Sequence, residues 1–373
     1  MQGSSEGPVR FGIVGSGWRS EFFLRIAEAL PDRFEVAGLV TRSPRTAARL
    51  EARGVHPFRD VDELLAAAPE FAVVSVPREA APTIIRNLVD ERMPVLTETP
   101  PATDLAELVE LWHDVERVPG AIVQVAEQYH LSPLLSAQLA VAASGRLGRI
   151  SQAVVAQCHD YHGVSVLRRA LGIGAEDATI TAQTFTYPLL AGPDRHGDPH
   201  EERFVTATQT TARFDFGDRL GVYDFAPEQY FSWIRGNRML VRGDRGELEN
   251  LEVRYVRGHD EPVFGQLRRV MTGEGGNLEG LFLRGLLLGE EWMFTNPVMP
   301  GRLADDEIAI ARLLEGMRTR IAGGPDVYSL AEASQDHYLA LLLQQAATTG
   351  DPVRSTPQPW AEALAATAPT SAA

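Results

Sequence analysis

Lysine is absent from all 373 residues, and the thirty-five basic side chains are every one an arginine. That absence excludes chemistry requiring a primary amine of adjustable pKa: a Schiff-base nucleophile, a phosphate-loop lysine or a lysine general base. Cysteine is almost absent too, since Cys158 stands alone and cannot form an internal disulfide. No apolar run approaches the roughly eighteen residues that span a bilayer, each being broken by Arg, Asp, Glu or Pro. The start, MQGSSEGPVRFGIVG, lacks the basic opening and apolar core of a secretory signal. These absences lead to the expectation of a soluble, cytoplasmic protein. Positive charge is also scarce: 35 basic against 50 acidic residues leave a net charge of −15. Such a surface repels phosphate backbones and anionic bilayers, so neither nucleic acid nor membrane is an expected partner.

What is present suits two domains, with 44% apolar and 23% charged residues over a length that exceeds one ordinary domain. Between residues 9 and 130, β-rich apolar runs (Val9–Val14, Glu35–Val40, Phe71–Val76, Val95–Thr97, Ala121–Val125) alternate with helical patterns around 20–30, 44–53, 80–91 and 104–117. This alternation predicts a parallel sheet covered on both faces. After about residue 148 the pattern changes to longer alternating segments: Arg149–Gln157, Thr179–Tyr187, Phe204–Phe216, Leu220–Phe225, Arg238–Val241 and Glu247–Val256. They predict one large antiparallel sheet, with Gly217-Asp218 and Gly243–Gly246 as reversals. Helical periodicity returns at Asp305–Ile321 and Leu330–Ala347, and the Pro/Ala/Thr/Ser-rich chain from Ser355 is expected to fray. The expected organisation is an α/β dinucleotide-binding domain (8–130), an α+β domain with an open, mainly antiparallel sheet (131–350) and a tail (351–373).

The first strand runs into Gly15-Ser16-Gly17-Trp18-Arg19-Ser20, followed by helical spacing at Phe22, Phe23, Ile26 and Ala27. In strand, turn, helix context, Gly15 permits the turn, Gly17 lets a pyrophosphate approach the backbone, and the helix N-terminus offers N–H donors. Ser20 replaces the usual third Gly or Ala and is small enough for close helix packing. At the end of the second strand, where a carboxylate would accept from the ribose hydroxyls of NAD, stand Thr41, Arg42 and Ser43. Arg42 and Ser43 suit a 2′-phosphate, which favours NADP with NAD as the alternative; otherwise Arg42 is a solvated loop cation.

Nearly the whole chain resembles the Gfo/Idh/MocA oxidoreductases, named for glucose-fructose oxidoreductase, inositol dehydrogenase and a rhizopine catabolism protein. The matching stretches are Val73–Pro77, Glu98-Thr99-Pro100, Gln128-Tyr129-His130 through Pro133, Gly145–Ile150 and the helix His162–Gly172. The resemblance implies hydride exchange between a nicotinamide and a sugar, polyol or related hydroxylated compound, and a homodimer or homotetramer built across the open sheet. It places Pro77 and Glu98 near the cofactor, and Tyr129, His130 and Ser165 with substrate. Trp18, Arg19 and Thr41 join the cofactor set by their place in the loops. Two family groups are missing, however: the lysine of Glu-Lys-Pro is Thr99 here, and the aspartate of the helix is Ser165.

Threonine cannot act unaided as a general base near neutrality. The chain offers instead His159-Asp160-Tyr161-His162, two imidazoles, a carboxylate and a phenol within four residues. His162 is the expected acid/base and Tyr161 a hydroxyl ligand or relay, with Thr99 a further hydroxyl ligand. Asp160 could be only a helix N-cap, and His159 could point to the other face. The aromatics of Glu228–Arg235 are read as packing, and His337 and Tyr338 as solvated or interdomain residues. Cys158 and His159, adjacent on a strand, point oppositely and no ligand pair has helical spacing, so no metal is expected. Loss of the family lysine and aspartate keeps two other readings open. One is transient oxidation serving elimination or epimerisation without net redox; the other is a non-catalytic ligand sensor or partner subunit.

Overall fold

The computed structural model describes residues 7–274 and 281–367. The first half builds β1 (Val9–Val14), α1 (Ser20–Ala29), β2 (Phe34–Val40), α2 (Pro44–Glu51), β3 (Pro57–Phe58), α3 (Val61–Ala66), β4 (Phe71–Val74), α4 (Ala81–Asp90), β5 (Val95–Thr97), α5 (Leu105–Glu116) and β6 (Val123–Val125). These strands form a six-stranded sheet in the order β3-β2-β1-β4-β5-β6, parallel throughout. The order reverses between β1 and β4, the switch point where doubly wound sheets take ligands. β1 is apolar because both its faces are covered: Phe11 stacks on Phe71 at 5.8 Å and meets Phe23 edge-on at 6.4 Å. Helix starts follow local chemistry, with Ser43, Asp60 and Asp104 accepting from the main-chain N–H groups of Thr46, Glu63 and Glu107.

The chain continues through α6 (Pro133–Ala143), β7 (Ile150–Ala156), α7 (Asp160–Leu171), β8 (Thr179–Leu190), β9 (Phe204–Asp215), β10 (Leu220–Phe225), β11 (Arg238–Gly243), β12 (Gly246–Glu249), β13 (Glu252–Val256), β14 (Pro262–Thr272), β15 (Phe282–Leu288) and β16 (Glu291–Thr295). It closes with α8 (Asp305–Ile321), α9 (Leu330–Thr349), β17 (Val353–Arg354) and α10 (Ala361–Thr367). An eleven-stranded sheet has the order β16-β15-β14-β13-β12-β11-β7-β10-β9-β8-β17. Its registered pairings are antiparallel except β7 with β10, which run parallel: α7 carries the chain from β7 across to β8, and two antiparallel reversals through β9 return it to β10 in the direction of β7. The two-residue turn Gly217-Asp218 joins β9 to β10, and 243–246 reverses β11 into β12.

Two compact units result. One contains the chain up to Pro133 and Thr295–Ser334; the other contains Leu134–Val270 and the chain from Gln335, with short pieces around β15 divided between them. Three expectations change. Helix α8, placed by sequence in the second domain, packs on α1 and β1 in the first unit, its buried Ile308, Leu313 and Met317 completing that core. The segment from Ser355, expected to fray, is packed through residue 365: β17 pairs with β8, and the fully enclosed Trp360 donates its indole N–H to Gln335 Oε1 at 2.8 Å. Strands β14 to β16 carry on the sheet beyond the last segment read from sequence. β14 has one buried side chain, Leu267, in eleven residues, too little to imprint a hydrophobic alternation.

Candidate functional site

In the first unit the glycine loop lies at the carboxyl edge of β1. Gly15 has φ +106°, and a Cβ there would collide with the Ser75 carbonyl on the loop after β4, so only glycine fits. A Cβ at Gly17 would meet nothing within 4 Å, which leaves open the side a pyrophosphate would approach. Ser20, the residue in place of the third glycine, is buried and donates to the Gly15 carbonyl at 2.9 Å, so the substitution braces the loop. Ser16 Oγ stands 3.2 Å from Thr41 Oγ1, linking the glycine loop to the end of β2. Arg42 is exposed and forms no ion pair among the described residues, whereas the Ser43 hydroxyl is occupied in capping α2.

Arg19 and Glu98 form a feature that residue types alone did not disclose. Arg19 Nε donates to Glu98 Oε1 at 3.1 Å, with the side chains 14% and 13% exposed. The guanidinium lies 5.3 Å from the Trp18 ring centre and 5.0 Å from that of Phe22, while its Nη2 is buried with no hydrogen-bond partner among the described residues. A buried donor on a cation, next to an open glycine loop and a helix N-terminus, is the environment an anionic pyrophosphate requires. The residues present therefore fit a dinucleotide. Trp18 is half exposed, Pro77 is exposed on the loop after β4, and Thr99 is half-buried after Glu98, its peptide to Pro100 being cis. Tyr129 is half-buried, its main-chain N–H donating to Glu127 Oε1 at 3.1 Å, and the buried His130 lies 5.0 Å from the Tyr328 ring.

The second unit carries the titratable cluster at the start of α7. The helix N-cap is His159, not Asp160, which is the first helical residue with φ +39°; the Asp160 carboxylate accepts instead from Gln344 Nε2 at 3.3 Å. The N-cap residue His159 makes no side-chain capping bond of its own. Two phenols take the amides at the helix start: Tyr223 Oη on β10 accepts the Asp160 N–H, and Tyr230 Oη accepts the His159 N–H, both at 3.0 Å. Burial pushes the Tyr223 hydroxyl far above its ordinary pKa, so it remains neutral. His162 is 6% exposed, with its ring 4.4 Å from Tyr161 and 4.9 Å from His159. Ser165, one turn further, is enclosed.

Two readings of neighbouring residues change. His337, expected to be solvated or interdomain, is buried with its ring 5.8 Å from Tyr161, because α9 packs this face inward; Tyr338 is buried too, its hydroxyl accepting the Thr356 N–H at 2.9 Å. In the stretch Glu228–Arg235, read as packing, only Tyr230 turns to the cluster, and Trp233 is 69% exposed. Sequence reasoning missed Tyr223 altogether, and its only sequence signal was a tyrosine at an inward-facing position of a strand. Helix α7 is held from behind by a buried ion pair, Arg168 Nη1 to Asp336 Oδ1 at 2.6 Å, with Arg168 also donating to the Gly174 carbonyl. Among the described residues no group of three or more His, Cys, Asp or Glu could hold a metal ion, and no helix is long and apolar enough to cross a membrane.

A glycine loop on a 3-2-1-4-5-6 parallel sheet, continued by a large mainly antiparallel sheet, defines the class: an oxidoreductase with an NAD-binding Rossmann domain. Residues 9–127 match the Gfo/Idh/MocA model, an oxidoreductase family with an NAD-binding Rossmann fold. No curated sequence matches the chain. Among solved structures it is similar to levoglucosan dehydrogenase in complex with NADH and levoglucosan (15% identity, TM-score 0.67, covering 93% of this chain and 99% of that one). It is also similar to an oxidoreductase from Agrobacterium radiobacter in complex with NAD+, L-tartaric acid and magnesium (14%, 0.65, 92% and 98%). A third similar structure is the WlbA dehydrogenase from Bordetella pertussis in complex with NADH and UDP-GlcNAcA (16%, 0.61, 94% and 99%). At such identities the likeness establishes the fold.

Proposed function

We propose that this chain is an NADP-dependent oxidoreductase acting on a carbinol of a sugar, polyol or related hydroxylated compound. The observation that carries the reading is His162, a buried imidazole set in an aromatic cluster at a helix start, in a chain whose other unit has an open glycine loop with an orphaned arginine donor. Gly15, Ser16 and Gly17 seat the pyrophosphate, with Arg19 donating to it and Glu98 holding Arg19 in place. Arg42 takes the 2′-phosphate, and Thr41, Ser43 and Pro77 line the same nucleotide edge. When bound, the nicotinamide supplies hydride acceptance or donation at its C4 carbon. His162 receives the hydroxyl proton as the carbinol carbon loses its hydride, and returns it to the oxygen in the reverse direction. Tyr161 hydrogen-bonds the reacting oxygen beside His162; Thr99, Tyr129, His130 and Ser165 are the further substrate-side residues that the family resemblance implies.

Similarity to dehydrogenases that are complexed with levoglucosan or a sugar nucleotide supports the substrate class. Fluorescence of Trp18 during separate titrations with NADP and NAD, with Trp18→Phe as control, tests the cofactor; tighter binding of NADP that Arg42→Ala abolishes is expected. A polyol and sugar turnover screen with a His162→Ala variant tests the reaction. Binding of neither nucleotide would refute the oxidoreductase reading and favour a sensor or partner subunit. We also propose a cytoplasmic homodimer or homotetramer, supported by the exposed Phe185 and Phe264 on strands β8 and β14.

A further inference from the structure

We infer that Tyr230 and His159 form a positioning pair that sets the ring of His162. The inference rests on the assignment of His162 as the proton acceptor. Tyr230 Oη is bound twice at the start of α7: it accepts the His159 main-chain N–H at 3.0 Å and lies 2.7 Å from Nδ1 of the same residue. The contact to Nδ1 ties down the imidazole whichever of the two atoms donates, because either direction selects one tautomer of the ring. One tyrosine thus fixes both the main chain and the tautomer of His159. His159 is the N-cap residue, yet its side chain makes no capping bond. A mere capping role is therefore excluded, and the ring is spent on its neighbours.

Those neighbours are the proposed site. The His159 ring stands edge to face with His162, planes at 82° and centres 4.9 Å apart, and also contacts Tyr161 at 5.4 Å. Tyr230 is in turn wedged edge-on against the buried Phe225 of β10 at 4.9 Å, so the phenol is anchored in the sheet core. The order of contact runs from sheet core to phenol, to His159, to His162. A general base needs this kind of support, because an error of about 1 Å in its placement costs on the order of a hundredfold in rate. Neither His159 nor Tyr230 is required to touch substrate in this arrangement; both act through His162.

The test compares the full-length protein with Tyr230→Phe and His159→Ala, using Tyr223→Phe as control because it removes the neighbouring phenol without touching the His159 ring. Nitrogen-15 spectra of the histidine rings, assigned with single His variants, should show His159 as a single tautomer in the parent and in Tyr223→Phe, and as a tautomer mixture in Tyr230→Phe. Carbon-13 relaxation of the His162 ring should report one conformation in the parent and exchange in both Tyr230→Phe and His159→Ala. In turnover, kcat should fall about tenfold or more while KM for the dinucleotide is unchanged. A tautomer mixture in the parent, unaltered His162 ring signals in both variants, or unchanged kcat would overturn the inference. Failure of the parent to turn over any substrate would strike the proposed reaction alone, since the ring signals need no substrate and continue to decide the pairing.

Discussion

Replacing Gly163 with alanine isolates what the tertiary structure demands of helix α7. Gly163 lies in the first turn, and an added Cβ would stand 2.6 Å from Tyr223 Cε2, 2.8 Å from Cδ2 and 2.9 Å from the Cys158 carbonyl oxygen. Unstrained carbon contacts lie at about 3.5–4.0 Å, so roughly 1 Å must be found by moving ring or helix. In an unencumbered helix interior the change would gain about 1 kcal/mol from propensity. Here the ring is 2% exposed and cannot swing away, and its hydroxyl holds the Asp160 N–H at 3.0 Å. Overpacking of this kind costs about 1–3 kcal/mol, and straining the hydrogen bond adds up to a similar amount. The expected net effect is a destabilisation of about 1–3 kcal/mol. Urea unfolding should show a lower midpoint at unchanged slope. Tyr223→Leu removes the colliding atoms, so in the double variant the Gly163 penalty should shrink by about 1 kcal/mol or more. A Gly163→Ala protein as stable as the parent, or more so, would refute the close-packing argument.

Three other outcomes are expected. Arg168→Met should cost about 3–5 kcal/mol by leaving Asp336 charged and buried, and Arg168→Met with Asp336→Leu should recover most of it, both read by chemical denaturation. Truncation after Thr349 removes the enclosed Trp360 and its bond to Gln335, so limited proteolysis should cut the shortened protein faster than the parent at the β8 edge; equal resistance would mean the tail contributes nothing. Glu70 is pushed up by burial but held net below the ordinary 4.5 by the Arg318 guanidinium and the Arg10 N–H. Its stabilisation is therefore full above that ordinary value and lost as pH falls through the lowered folded one, so Glu70→Gln should lose less stability than the parent on acidification.

The nucleotide half of the site was largely legible because its signals are local. A glycine loop between a buried strand and an amphipathic helix announces itself within a dozen residues, and four further apolar runs in the same register fix the parallel sheet that carries it. The small strand β3 and helix α3 escaped, being two and six residues long. In the second unit the helix bearing His162 was legible, and its helical start was misplaced by only two residues. Its surroundings were not legible.

The sequence by itself determined the class of fold, the glycine loop, the lack of any lysine and the presence of an imidazole at a helix start, since each depends on residue type, short-range periodicity or steric permission at one backbone position. Only the tertiary structure decided that Arg19 reaches Glu98 across 79 positions, that Tyr223 and Tyr230 hold the amides of Asp160 and His159 from 63 and 71 positions away, and that Asp336 neutralises Arg168 across 168. Such partners are selected by strand order and by the parallel pairing of β7 with β10, which bring distant residues together regardless of any local pattern. A phenol in an alternating strand looks the same whether it fills a core or supports a proton acceptor. Its role depends on the helix that folds onto it.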